Sequence, residues 1–148
     1  MYFACNPYVK VIQPVFDDAG KEIVFWVAAR GHHTDIGGLE GNSHHPNQMV
    51  RAEEGVAFES TFIIRDGVFN EAEIVDTFMK AGEYPNCKAT KRIEHNLSDL
   101  KAQCAACAVG TSQLHALFDE YGKDVVHFYM KGESDVSPFV DNSYPGQR

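Results

Sequence analysis

The sequence predicts an α+β chain in which a β-hairpin and a further strand precede an α-helical C-terminal half containing one long amphipathic helix. Three observations carry this. Two β-branched, aromatic runs, residues 9–16 and 23–30, flank the turn-rich string Asp17-Asp18-Ala19-Gly20-Lys21, which reads as a hairpin. Residues 57–64 are again β-branched and aromatic, and Asp66-Gly67 closes them as a turn. From Leu97, apolar residues recur at steps of three or four through Leu100, Cys104, Cys107, Thr111, Leu114, Phe118 and Tyr121, a continuous helical seam.

The first run, Val9-Lys10-Val11-Ile12-Gln13-Pro14-Val15-Phe16, reads as a strand. The second, Ile23-Val24-Phe25-Trp26-Val27-Ala28-Ala29, is the most apolar stretch of the chain and too short for an independent helix. Residues 39–55 are long and polar and carry a second histidine pair, His44-His45; solvated side chains are the expectation there. Asn70 with Glu73 offers a capping box for a helix whose stripe is Ile74, Val75, Phe78 and Met79, ending at Gly82. Asn96 is expected to cap the long helix, with Asp99 supporting its first turn. Gly110 costs that helix about 1 kcal/mol relative to Ala, and Gly122 marks its end. A short helix over 123–130 is expected next. The organisation expected is one domain over 1–131 and a flexible tail over 132–148, where two prolines and scattered polar residues lack periodicity.

Bulk properties exclude several classes. With 148 residues and a net charge of −8, the chain offers no basic surface for nucleic acid or anionic membrane. No apolar run approaches the roughly 20 residues that cross a bilayer, and the first five residues lack the plan of a secretory signal. The expected setting is cytoplasmic, with the four cysteines reduced. Cys104 and Cys107 lie one turn apart on the seam, and core packing explains them better than redox or metal chemistry.

Chemistry concentrates where the second run ends, at Gly31-His32-His33-Thr34-Asp35-Ile36-Gly37-Gly38. Imidazole and carboxylate together are a ligand set for a divalent cation, and His32 and Asp35 are near enough in sequence to share one. The same string also suits a solvated polar turn whose glycines serve only the bend.

That string, read with Asn96-Leu97-Ser98-Asp99-Leu100-Lys101-Ala102-Gln103-Cys104-Ala105-Ala106, resembles the hydantoinase B/oxoprolinase family. Glu53-Glu54-Gly55, Asp66-Gly67-Val68-Phe69, Tyr84-Pro85-Asn86-Cys87, Tyr121-Gly122, Asp124-Val125-Val126 and Tyr129-Met130 resemble its ATP-dependent 5-oxoprolinase branch. The resemblance implies ATP-coupled hydrolysis of a cyclic amide, 5-oxo-L-proline to L-glutamate, as in glutathione turnover. A hydantoinase A-like ATPase half or subunit would activate the substrate, and the hydantoinase B-like half would open it. A homodimer of the full enzyme is left open. On this resemblance His32 and Asp35 would hold a divalent metal, Zn or Mn, and Gly37 and Gly38 would offer backbone N–H groups to substrate. Glu54 would be a general base, a surface glutamate being the simpler alternative. Asn96 and Asp99, with Gln103, match the family's second motif and would touch substrate, although capping and polar exposure explain them equally well.

Departures from the family are plain. There is no GxxxxGK[ST] loop, so ATP belongs to the missing half. The family's glycine-glycine-x-histidine-leucine-proline-aspartate segment is absent, since Asn6-Pro7-Tyr8 runs directly into Val9. Only Ser43 and Pro46 remain of its proline-glycine-serine-methionine-proline-proline run, and Lys91-Arg92 and His95 replace its usual arginine, asparagine and aspartate. The second reading is therefore a catalytically silent fragment that acts as a packing module.

Overall fold

The computed structural model describes residues 8–41, 47–59 and 61–140, with side chains through 132. Strand β1, Tyr8–Phe16, and strand β2, Ile23–His32, form an antiparallel hairpin. The Asp17 carboxylate closes its turn by accepting from the Lys21 and Glu22 amides at 2.7 and 3.1 Å. One face of the hairpin carries Val9, Val11, Val27 and Ala29 into the core, and the other stays exposed, as strict alternation dictates.

The chain then makes β3, Gly38–Leu39, and a single 3-10 turn at Arg51–Glu53. Strands β4, Ile64–Arg65, and β5, Val68–Phe69, form a small hairpin around Asp66 and Gly67, whose φ values of 52° and 77° suit the mirror-image turn that matches strand twist. The strand expected over 57–64 is thus realised only at its last residue. Among the described residues of 57–63 none joins a strand, but Phe58 packs edge-on against Phe78 at 5.3 Å between ring centres.

Helix α1, Glu71–Lys80, buries Ile74 and Phe78 completely and leaves Met79 exposed. Its start differs from the expected capping box: the Asn70 side-chain amide donates to the Glu73 carboxylate and makes no bond to the helix backbone. Its end differs too. Ala81 is the cap, and Gly82 serves a close approach, since a Cβ there would lie 2.7 Å from the Ala89 nitrogen. Strand β6, Cys87–Lys88, pairs with β3.

Helix α2, Ile93–Tyr121, starts three residues before the expected cap, so Asn96 lies inside the first turn and is free to act elsewhere. The Thr90 hydroxyl accepts instead from the Arg92 amide at 3.2 Å. Leu97, Leu100 and Cys107 of the predicted seam join Val11, Ile36, Ile74 and Phe78 in one core. Cys104 packs against the same core. Burial pushes both thiols up from their ordinary pKa, as a packing role requires.

The chain divides into two compact units, Met1–Cys107 and Ala108–Arg148. In the second, Gly122 ends α2 in the left-handed conformation, φ 83°, and its N–H donates to the Phe118 carbonyl at 2.9 Å. Helix α3, Lys123–Val140, follows, with Leu114 and Val126 buried in this unit. It continues past the boundary expected at 131, because one glycine at 132 costs too little to end a helix. Residues 141–148 of the expected tail lie outside the described residues. No helix among the described residues is long and apolar enough to cross a membrane.

Candidate functional site

Strand parity decides which histidine turns inward. Val27, Ala29 and Gly31 point toward the core, so His33 follows them and His32 faces out with Arg30. His33 has no exposed surface. His32 is exposed and sets its ring edge-on to Tyr8, its partner across the hairpin, at 5.2 Å.

The buried imidazole meets two carboxamides from α2. Gln103 Nε2 donates to the carbonyls of Val9 at 2.9 Å and Ala29 at 3.1 Å, one on each strand of the hairpin. Those oxygens can only accept, so the amide oxygen of Gln103 faces His33 Nε2, 3.2 Å away, and that nitrogen carries the proton. Asn96 Nδ2 donates to the Asp35 carbonyl at 2.9 Å, and its oxygen accepts from the Thr90 hydroxyl at 2.8 Å. His33 Nδ1 then lies 3.3 Å from the Asn96 amide as an acceptor. The ring is neutral in its Nε2–H form, and every donor in the cluster faces an acceptor. Asp99 stands at the rim, 57% exposed, with Oδ2 3.9 Å from His33 Nδ1.

Asn96, Asp99 and Gln103 share one face because they are spaced by three and four residues on a helix. A missing side chain admits Gln103 to the sheet: a Cβ on Gly31 would lie 3.0 Å from its carboxamide carbon and nitrogen. The network therefore latches the strand-to-loop junction to α2, and no buried side-chain nitrogen or oxygen among the described residues lacks a partner.

Asp35 is used structurally. Its Oδ1 accepts from the Gly37 amide at 3.0 Å and its Oδ2 from the Lys91 amide at 3.0 Å, tying the loop to the entry of α2. The Gly37 N–H, expected to face substrate, donates here to Asp35. Gly38 pairs with Lys88, and both glycines allow close backbone packing: a Cβ at 37 would meet the Lys88 carbonyl at 2.5 Å, and one at 38 the Glu53 carbonyl at 2.6 Å. Glu54 is half-buried as the cap of the 3-10 turn. Lys91, a departure from the family, contributes its backbone here, which makes its side-chain identity immaterial to this contact.

A divalent metal would need His32 and Asp35 to converge. His32 and Asp35 have diverging engagements, one against Tyr8 on the outer face and the other on two backbone amides. Among the described residues no three His, Cys, Asp or Glu side chains converge as ligands. The described residues do not fit a metal centre. His44 and His45 lie outside them, as do Ser43, Pro46, Asn6 and Pro7. An open cleft of about 430 Å³, lined by Gly55, Val56, Thr77, Lys80, Tyr84 and Pro85 among others, takes in none of the predicted site residues.

Residues 6–137 match the model of a family described as hydantoinase B/oxoprolinase. The chain is 40% identical over 125 residues to a 5-oxoprolinase of Saccharomyces cerevisiae, covering 84% of this chain and 10% of that one. It is 41% identical over 132 residues to 5-oxoprolinase 1 of Arabidopsis thaliana, again 84% of this chain and 10% of the relative. Similarity extends to the caprolactamase subunit beta of Pseudomonas jessenii, 33% identical over 116 residues, 77% of this chain and 18% of the subunit. The chain thus spans about a tenth of the length of the 5-oxoprolinases it matches. No solved structure gives a significant match.

Proposed function

The chain belongs to the hydantoinase B/oxoprolinase family, and on that premise we propose that it represents a partial copy of the hydrolytic half of a 5-oxoprolinase-type enzyme. The substrate class is a cyclic amide, 5-oxo-L-proline first, hydrolysed to L-glutamate in a cytoplasmic glutathione-linked setting. The latch at His33 is the single observation that carries this reading. It joins the two stretches on which the family resemblance rests, 31–38 and 96–106, into one hydrogen-bonded unit.

Opening a lactam requires activation, because amide resonance and a poor nitrogen leaving group resist attack by water. ATP chemistry would come from a hydantoinase A-like half or subunit. The caprolactamase relative, named as a subunit beta, supports a partner of that kind. This chain's own residues supply position: Gln103 and Asn96 orient a neutral imidazole, and Asp35 fixes the loop between them. No step is assigned to a metal, since the described residues do not form its site.

A second reading is favoured by Asp35, whose two oxygens are both committed to backbone amides. On it the chain is a silent packing module. One assay separates the two: ATP-dependent release of glutamate from 5-oxo-L-proline by the chain mixed with a purified hydantoinase A-like subunit. Turnover above that of the subunit alone, lost in His33→Ala, supports the first reading. Absence of any increment leaves the second.

A further inference from the structure

The outer face of the hairpin holds a cluster that the latch does not use. Lys10 of β1 lies directly across from Arg30 of β2, and the adjacent pair in that row is Tyr8 opposite His32. All four side chains are exposed on the face turned away from Val9, Val11 and Ala29. Like charges placed opposite one another across a strand pair destabilise the sheet. Yet among the described residues neither Lys10 nor Arg30 forms an ion pair. In a chain with 21 acidic residues and a net charge of −8, two opposed and unneutralised cations stand out.

Arg30 is also held in place. Its guanidinium lies 3.8 Å from the centre of the Tyr8 ring, and Tyr8 is in turn edge-on to His32 at 5.2 Å. Stacking fixes the plane of the guanidinium and leaves its N–H fork free to grip two oxygens of one anion. Lys10 then adds a point charge from the neighbouring strand. On the turn side the cations border an apolar ledge, Ile12 opposite Ala28 and Pro14 opposite Trp26, with Ile12 61% and Trp26 56% exposed.

We propose that Lys10, Arg30, Tyr8 and His32 form a binding site for a small anion, a carboxylate or a phosphate, whose apolar body rests on the Ile12–Ala28 ledge. The site is separate from the buried latch and holds whether or not the chain takes part in ring opening. A bound anion would relieve the repulsion across the strands, so its attraction is set by charge and by the Arg fork together.

The test is a titration of the 15N-labelled full chain, followed by NMR at low ionic strength, with inorganic phosphate, with 5-oxo-L-proline and with neutral 2-pyrrolidone. Either anion should shift the resonances of Tyr8, Lys10, Arg30 and His32 at millimolar concentration, while 2-pyrrolidone should not. A larger response to 5-oxo-L-proline identifies a carboxylate as the natural group, and a response to phosphate alone identifies a phosphoryl group. Arg30→Gln and Lys10→Gln should each weaken binding by at least about threefold, and Lys21→Gln, at the hairpin turn, should leave it unchanged. Should Arg30→Gln disturb the amide spectrum, Arg30→Lys keeps the charge without the fork and should still lose affinity. Absence of shifts at these four residues with both anions overturns the proposal, as does equal weakening by Lys21→Gln.

Discussion

The side-chain oxygen of Gln103 faces His33 Nε2 at 3.2 Å because the nitrogen of the same carboxamide is held by one carbonyl from each strand of the hairpin. A helix side chain thereby sets the tautomer of a histidine seventy residues away in sequence. Long-range 1H–15N correlation spectra should show His33 as a neutral ring protonated on Nε2. In Gln103→Glu, whose carboxylate cannot donate to Val9 and Ala29, that signal should broaden or move.

Removing the carboxamide altogether should be costly. Gln103→Leu removes the bonds to the Val9 and Ala29 carbonyls and to the buried His33 N–H, and a buried group left without a partner costs about 1–3 kcal/mol. A loss of about 3 kcal/mol in urea unfolding is expected, with the hairpin amides exchanging faster than those of α1. An effect below about 0.5 kcal/mol, the range of an ordinary surface change, would mean the latch is not structural.

Asp35 provides the contrast with a metal-ligand role. Asp35→Asn retains one acceptor but places an NH2 group against the Gly37 or Lys91 amide, so stability should fall by about 1–3 kcal/mol. The drop should be the same in EDTA and in added Zn2+ or Mn2+. A variant that loses micromolar metal affinity while keeping its full stability would restore the ligand reading for this residue.

Much of this site was legible in the chain and part of it was not. The hairpin follows from two β-branched, aromatic runs around a turn and the α2 seam from 3.6-residue spacing; both formed, although Tyr121 at the end of the seam is 55% exposed. The His-x-x-Asp spacing singles out His32 as the chemical histidine. Counting parity from Val27 through Ala29 and Gly31 points to His33 instead, a signal present in the sequence. Asn favours the N-cap, which makes Asn96 a cap candidate, but the helix begins at Ile93 and turns the Asn96 carboxamide toward Asp35. Gly82 and Gly31 could not have been read this way, because close approach of Ala89 and Gln103 is a tertiary fact. Of the strand expected over 57–64 only Ile64 pairs, with Phe69, among the described residues, and where pairing begins is a tertiary matter that local propensity does not report.

Gly38→Ala offers a sharper test of the loop than any polar substitution. Its φ of 112° lies where side-chain-bearing residues are rare, and a Cβ would sit 2.6 Å from the Glu53 carbonyl, a backbone atom that cannot swing aside. Strain of about 1–3 kcal/mol from the backbone alone, added to the clash, should separate β3 from the 3-10 turn. Loss of the β3–β6 amide protection with α2 intact is the expected pattern in hydrogen exchange.

The buried thiols give a pH dependence whose sign follows from their direction of shift. Burial raises Cys87, Cys104 and Cys107 above the ordinary value of about 9, so the folded state holds these protons more tightly than the unfolded chain. Their contribution is fully present below pH 9 and is lost as pH rises through the folded-state values. Urea midpoints should therefore hold steady from neutral pH to about 9 and fall above it. Cys107→Ala, less stable at every pH because it leaves a small cavity beside Val11, should show a shallower decline than the parent across the alkaline range. A decline of unchanged slope would place the alkaline loss in other groups and remove Cys107 from the account.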